Sequence, residues 1–438
     1  MDYIPFQQLC PDLDVKTIDT IARECKFSQR EAKKITPNIY LSFVCQESIK
    51  GTLSYNDLAS KVSMGTHCDA SRQAFFYRTK PEAVEFFQSI LAIVIKLKVR
   101  YNTLTEVCSA VGFKRILVQD STIIKLPKKL FDFFSGVKNA HTSVCNARVQ
   151  GIYDLISGTF ISFSIDPYSV NDQKVSHKID AQKGDLVIRD RGYYVISKIQ
   201  SFLSRGADFI SRYKHKSQFF DIDSKEPIHL LTILKKQQTI DQWVLTGEKK
   251  DCKVRILATP TTEEIANLRR MKAKKENSNK KYSKELGELM GWNIFITSIT
   301  NMKLTIQNIT MLYALRWRIE CIFKTWKSNF KFAKIHNVSK EQLKVLLLAR
   351  LIMITILYVR FYKQILCNLE NVIKITEISL MKFIRYVLRN LVNFVALFNQ
   401  GLENNKLWNH IKRYCTYDKR KRKNYEQMLS DIKNWELT

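Results

Sequence analysis

Acidic residues are the scarce class in this chain: 41 Asp and Glu face 71 Lys and Arg, leaving a formal net charge of +30. That imbalance implies a polyanionic partner, of which nucleic acid is the commonest. Glycine (13) and proline (8) are also few for 438 residues, and there is no low-complexity linker or internal repeat. With 45% hydrophobic and 11% aromatic residues, this excludes a disordered chain and leaves room for a sizeable core. The ten cysteines include no CxxC pair and no His at ligand spacing. That excludes a zinc module or a disulfide framework and fits a reducing cytoplasm. Long apolar runs are missing too: the longest, Val345 to Val359, has 15 residues and contains Arg350, so a core helix is expected and not a membrane span. The opening MDYIPFQQLCPDLDV carries acids and lacks an apolar segment, so no signal peptide is expected.

What is present falls into helical and strand-like stretches. Residues 1 to about 108 read as helical, with amphipathic runs near 14–34, 39–49 and 80–99. A short helix after Ser54 and another after Asp69 flank a turn at Gly65. The pair resembles a helix-turn-helix offering Ser71, Arg72, Gln73 and Arg78 to DNA, although many helical hairpins look alike. From Arg115 the period shortens. RILVQDSTIIKL, NARVQGIYDLI and GTFISFSIDP predict three sequential antiparallel strands. A helix near 171–182, a strand at 184–190, a helix through YVISKIQSFLSRG and a strand at 207–213 follow. Together these predict an α/β core with a mixed sheet covered on both faces. Weak strands at HLLTI, TIDQWVLTG and KVRILAT precede a basic helical segment with eight Lys or Arg and two Glu between Arg269 and Glu285. The strand WNIFITSI leads into YALRWRIECIFKTWK, and the remaining chain is helical, with a KRKRK run at 419–423 that reads as a solvated face or a DNA-backbone contact.

In that YALRWRIECIFKTWK stretch Tyr313, Arg316, Glu320, Lys324 and Lys327 are spaced 3, 4, 4 and 3. On one helix they share an arc of roughly 80°, beside an apolar arc of Leu312, Leu315, Ile319, Ile322, Phe323 and Trp326. Arg316-Glu320-Lys324 alone also reads as an ordinary ladder of ion pairs. Asp120 within ILVQDST and Asp190 ending LVIRD are carboxylates among apolar strand residues, costly to bury unless paired or bound to a cation. Each could be a capped turn residue. With Glu320 they make three hard donors that suit Mg²⁺, with Mn²⁺ as a substitute, and two such ions support in-line displacement at phosphorus.

DST at Asp120, DRGYY from Asp190 and the pattern Tyr-x2-Arg-x3-Glu-x6-Lys resemble the DDE transposases of bacterial insertion sequences, in the cut-and-paste branch that forms hairpin intermediates. The resemblance covers about 115–330. It implies a ribonuclease-H-like mixed sheet with a β-rich insertion before the glutamate helix, flanked by helical N- and C-terminal regions. It implies that Asp120, Asp190 and Glu320 hold the metal and catalyse, and that Tyr313, Arg316, Lys324 and Lys327 grip phosphates. Trp292, 21 residues before Tyr313, matches an indole that stacks on a flipped base, or else is a half-buried strand residue. Arg212 matches an arginine near the DNA end, with Lys214 and His215 continuing the match.

The expected division is 1–108 helical and DNA-binding (Arg72, Gln73), 109–213 the first part of the core, 214–299 the insertion with its basic arm, 300–365 the glutamate helix and end of the core, and 366–438 a basic helical region with dimerisation as a candidate role. The partners implied are duplex DNA, as terminal inverted repeats and target, and a second copy in a synaptic homodimer, in the cytoplasm at the nucleoid and without a membrane. Two rivals share the sequence features: a nuclease of ribonuclease-H type that does not join DNA, and an inactive, transposase-derived DNA-binding protein.

Overall fold

The computed structural model describes all residues except 1–2, 33, 52, 67, 98–111, 137–143, 171–178, 277–282, 301–303, 370–377, 402–404, 419–422, 424, 434 and 436–438. The expected helix near 171–182 and the KRKRK run therefore fall largely outside the described residues. After a single helical turn at Phe6–Leu9 come five N-terminal helices: α1 (Val15–Glu24), α2 (Pro37–Ser48), α3 (Tyr55–Gly65), α4 (Arg72–Arg78) and α5 (Pro81–Lys96). The starts of the first four follow from local chemistry, since the side chains of Asp14, Thr36, Ser54 and Ser71 each accept the amide three residues on.

The sheet begins with β1 (Arg115–Lys125), β2 (Asn146–Asp154) and β3 (Thr159–Pro167), an antiparallel meander as expected. Then come β4 (Asp185–Arg189), α6 (Ile196–Ser204) and β5 (Asp208–Arg212), with β4 parallel to β1 and β5 parallel to β4. After a two-residue β6 (Phe219–Phe220), the stretch containing HLLTI forms a helix, α7 (Leu230–Gln237), not the expected weak strand. Its leucines explain the change: Leu230 and Leu234, one turn apart, are the two that α7 buries. Next are β7 (Ile240–Thr246), β8 (Cys252–Pro260), α8 (Glu263–Glu276), α9 (Lys284–Leu289) and β9 (Trp292–Thr297).

All nine strands form one sheet in the order β3-β2-β1-β4-β5-β9-β8-β7-β6. β9 pairs antiparallel with β5 on one side and with β8 on the other, so the β-rich stretch before the glutamate helix extends the central sheet. Alternation along the strands divides the core into two layers. Ile116, Val118, Leu186, Ile188, Ile210 and Phe295 face one cluster, and Leu117, Val187, Phe209, Ile294 and Ile296 face the other with Phe202 of α6 and Leu234 of α7.

The first layer is closed by α10 (Ile306–Ala314), α11 (Trp317–Asn329) and α12 (Lys340–Ile356). The chain ends in α13 (Leu380–Arg389), α14 (Leu391–Asn399), α15 (Asn405–Tyr414) and α16 (Tyr425–Lys433). The N-terminal helices join this same cluster, which runs from Ile4 to Ile432. Lys340–Asn368 is long and apolar enough to cross a membrane, but 89% of its most apolar window is buried inside the protein. Arg350 within it is fully buried and donates to the carbonyls of Ser48 (2.7 Å), Phe332 (3.0 Å), Lys334 (3.1 Å) and Gly51. One guanidinium thus ties the end of α2 to the loop after α11.

Candidate active site

The sheet register puts the candidate residues in line. Gln119 lies opposite Arg189, and Arg189 opposite Ser211, so the next residues, Asp120, Asp190 and Arg212, stand level where the parallel pairing ends: Asp190 and Arg212 at the carboxyl ends of β4 and β5, Asp120 midway along the longer β1. Each shares the parity of its strand's first-layer residue two positions earlier, which is Val118, Ile188 and Ile210 in turn. All three therefore belong to the face that α10 and α11 cover. In open α/β sheets this carboxyl edge is where ligands bind.

Glu320 reaches the edge from α11. The stretch expected to be one helix from Tyr313 to Lys327 is two: α10 ends at Ala314 and α11 starts at Trp317. Between them the backbone winds more tightly, with amides bonding three residues back: Leu315 to Leu312, Arg316 to Tyr313, Arg318 to Leu315 and Ile319 to Arg316. Such winding brings residues three apart into line, and here it aligns Tyr313 with Arg316. The apolar side packs as expected, with Leu312, Leu315, Ile319, Ile322, Phe323 and Trp326 all buried. Upstream, buried Arg255 grips Asp241 at 2.6 Å and donates to the carbonyls of Ile299 and Leu304, fixing the approach from β9 to α10. Opposite Asp120, a Cβ on Gly151 would lie 2.6 Å from the Phe160 ring, which packs against Trp326 of α11. Glycine there lets the glutamate helix sit close to the sheet.

Arg316 is the centre of the site. One guanidinium nitrogen donates to Asp120 Oδ2 at 2.9 Å and another to Glu320 Oε1 at 2.5 Å. Tyr313 donates its hydroxyl to Asp190 Oδ1 at 3.3 Å, and its ring lies between the guanidinium groups of Arg316 (5.7 Å) and Arg212 (5.8 Å). Burial pushes the Asp120 carboxyl up to about 6, against the pull of Arg316 and of the Ser121 amide at 2.8 Å. Burial also opposes the charge on Arg316, but facing Tyr313, Asp120, Glu320 and Asp190 outweigh it and hold the guanidinium above its ordinary value. Burial likewise raises the Tyr313 hydroxyl, which stays a proton donor.

Among the described residues no three His, Cys, Asp or Glu side chains enclose an ion as they stand. The reason is visible: a guanidinium lies between Asp120 and Glu320. The donor chemistry fits a divalent cation, because three partly exposed carboxylates are hard oxygen donors and Arg316 already supplies positive charge there.

A model of the transposase DDE domain matches residues 111–356, more than half of the chain and all three carboxylates. The chain belongs to the DDE transposase family. Relatives of this transposase include the transposase for insertion sequence element IS231B of Bacillus thuringiensis subsp. berliner, 27% identical across 82% of this chain and 80% of that one. The transposase for IS231E of Bacillus thuringiensis subsp. finitimus is 28% identical across 80% and 77%, and that for IS1151 of Clostridium perfringens is 29% identical across 77% and 76%. A chain from the cryo-EM structure of a piggyBac transposase synaptic complex with hairpin DNA covers 94% of this transposase and 85% of itself, at 10% identity and a TM-score of 0.44, too slight a likeness to argue from.

The other expected residues of this transposase are more scattered. Lys324 and Lys327 are exposed on α11, with the Lys324 ammonium 4.1 Å over the Trp317 ring. Trp292 has the parity of Ile294 and Ile296 and packs half-buried in the second layer, its indole donating to the Gln238 carbonyl at 3.1 Å. The carboxylates therefore lie on one face of the sheet and this indole on the other. Arg72 and Gln73 are exposed at the start of α4, far along the chain from the carboxylates, whereas Arg78 turns inward to the Ile35 carbonyl.

Two site residues had escaped the sequence reading. Asn293 Oδ1 accepts from Arg212 at 3.1 Å and from Arg269 at 2.6 Å. Arg269 stood in a basic run that reads as an arm, yet it folds onto the sheet edge and also donates to the carbonyls of Met290 and Trp292. No local signal separates it from the solvated lysines that follow.

Proposed function

We propose that this transposase binds the ends of its own insertion sequence, hydrolyses a phosphodiester at each end, passes through a DNA hairpin and joins the freed ends to target DNA. The single observation that carries this reading is the gathering of Asp120, Asp190 and Glu320 at one sheet edge around Arg316. Asp120, Asp190 and Glu320 would hold the divalent cations, Mg²⁺ or Mn²⁺, which would supply Lewis-acid stabilisation at phosphorus and a more acidic water.

The remaining roles belong to the chain's own groups. Arg316 neutralises two carboxylates while DNA is absent and turns to a phosphate oxygen when it arrives, where its planar fork suits bidentate binding. Tyr313 keeps its proton and offers a hydroxyl beside Asp190. Arg212 and Arg269, sharing one neutral acceptor, present positive charge to the same strand, and exposed Lys324 and Lys327 extend the contact along α11. The hairpin step rests on the Tyr-Arg-Glu-Lys set, and Trp292 enters it only by giving up its bond to Gln238.

The core is read as ribonuclease-H-like, since an antiparallel meander continues through two parallel strands. Terminal repeats are read by α3 and α4, where Arg72 and Gln73 stand beside exposed Phe76 and Tyr77. The acting form is a homodimer on paired ends, at the nucleoid. The test is a labelled duplex carrying the inverted repeat that flanks the reading frame, incubated with Mg²⁺. The expected products are a nick, then a hairpin, then a joined strand. Nicks alone, in excess target DNA, would replace this reading with that of a simple nuclease.

A further inference from the structure

Three of the C-terminal helices, α13, α14 and α15, pack against one another and leave a groove of about 960 Å³ between them. Its walls are strongly basic. Along α13, Lys382, Arg385 and Arg389 follow helical spacing on one side, and along α15, Lys406 and Arg413 do the same. From Ile378 to Tyr417 the sequence holds six Lys or Arg and a single acid, Glu403. Lys382 is balanced by Asp418 at 2.8 Å. Arg385, Arg389 and Arg413 are exposed and have no acid partner among the described residues.

The apolar sides of α13 and α15 are used in the core, with Phe383, Val387, Leu407 and Ile411 buried, and α14 adds Phe394, Ala396 and Leu397 to the groove, so core packing does not explain why the basic sides of α13 and α15 converge over it. Like charges drawn into a concave surface repel, and only a bound anion offsets that cost. The aromatic rings at the rim are partly engaged with one another. Tyr386 bonds His410 at 2.8 Å and stacks on Tyr414 at 6.1 Å. Only Tyr414, half exposed, keeps open ring surface, so the groove offers more charge than stacking platform, which favours phosphates over unstacked bases.

Its position adds to this. The C-terminal end of α11 meets α13, where Asn329 donates to the Met381 carbonyl at 3.3 Å. Glu320 and Asn329 are nine residues apart on α11, roughly 13 Å along the helix. Lys324 and Lys327 lie between them.

We propose that this groove is a second DNA site, one that holds the sugar-phosphate backbone of duplex DNA flanking the cleaved end without reading its sequence. The choice of DNA as the polyanion rests on the function proposed above. A second copy of the chain is a poor occupant, because a symmetric contact would set arginines against arginines.

The test uses the full chain with Arg385→Gln, Arg389→Gln and Arg413→Gln combined, and a random-sequence duplex titrated from low to moderate salt. Three lost phosphate contacts should make the slope of log affinity against log salt shallower by roughly 2 to 3. The matching triple Arg→Lys variant should restore the slope, and both should melt as the unsubstituted protein does. An Asp120→Asn protein should keep the full slope while losing cleavage, which separates the groove from the catalytic reading. If the wild type binds DNA with the steep slope but cleaves nothing, the proposed function fails and the groove stands. An unchanged slope in the well-folded Gln variant overturns the groove. So does a variant that keeps the slope and changes only its sedimenting mass, which would make this face a dimer contact.

Discussion

Replacing Arg316 by alanine should strengthen metal binding while weakening catalysis. In the free protein the guanidinium bridges Asp120 and Glu320, whose side chains are 18% and 27% exposed. Removing one partner of a buried ion pair costs about 3 to 5 kcal/mol, and partial exposure here brings that down to roughly 2 to 3. An unfolding entropy of about 2 cal/mol/K per residue over a chain of this length makes that a loss of roughly 2 to 3 °C in Tm in the presence of EDTA. A divalent cation no longer has to displace the guanidinium, so Mn²⁺ should bind the free variant at least about 30-fold more tightly, the same free energy expressed as affinity. Mn²⁺ should accordingly restore the lost Tm. Cleavage should still fall, because the phosphate loses its bidentate partner. The assays are Mn²⁺ titration followed by paramagnetic resonance, melting with and without metal, and single-turnover cleavage. Metal affinity that stays the same or weakens in Arg316→Ala would refute the idea that the guanidinium occupies the metal's place.

Other expectations concern stability. Burial lowers Lys363 to about 7, and its ammonium donates to the Ser157 carbonyl and lies 5.8 Å over the Tyr358 ring. Because the folded value lies below the unfolded one, the unfolded chain holds the extra proton between about pH 7 and 10, and stability rises with pH across that window. Lys363→Met should remove that rise and gain about 4 kcal/mol at pH 7, shrinking to nothing near pH 11, as read from urea midpoints across pH. Arg350→Leu should lose at least roughly 3 kcal/mol in the same assay, since three buried carbonyls and the partly buried one of Lys334 are left without their donor. Gly151→Ala should slow cleavage with DNA affinity retained, because the Cβ would push Phe160 against the glutamate helix.

Much of this arrangement was legible in the residues because it is local. The β-branched runs at 115–125, 146–154 and 159–167 announce strands, and the apolar arc of α11 is as buried as its spacing implies. What escaped depends on distant partners. HLLTI, five residues of mixed preference, became helix because Leu230 and Leu234 found the second layer. That β9 inserts between β5 and β8, merging the insertion with the core sheet, is set by pairing across some eighty residues and leaves no local mark. The break at Leu315 and Arg316 hides in a sequence that suits a continuous helix, since the tighter winding needs no glycine or proline. The face of Trp292 is half legible: its parity with Ile294 and Ile296 is in the sequence, but which parity meets the carboxylates is decided only when Phe295 stands beside Arg212.

The most direct test of the central claim is single-turnover cleavage of an end duplex by Asp120→Asn, Asp190→Asn and Glu320→Gln, measured with Mg²⁺ beside DNA affinity. If three carboxylates gathered around Arg316 form one metal site, each substitution should reduce cleavage by about a thousandfold or more, in the range seen when a group stabilising the transition state is lost, with duplex binding within a few fold of the wild type. Cleavage at the wild-type rate by any one of the three, or by the wild type in EDTA, would contradict it.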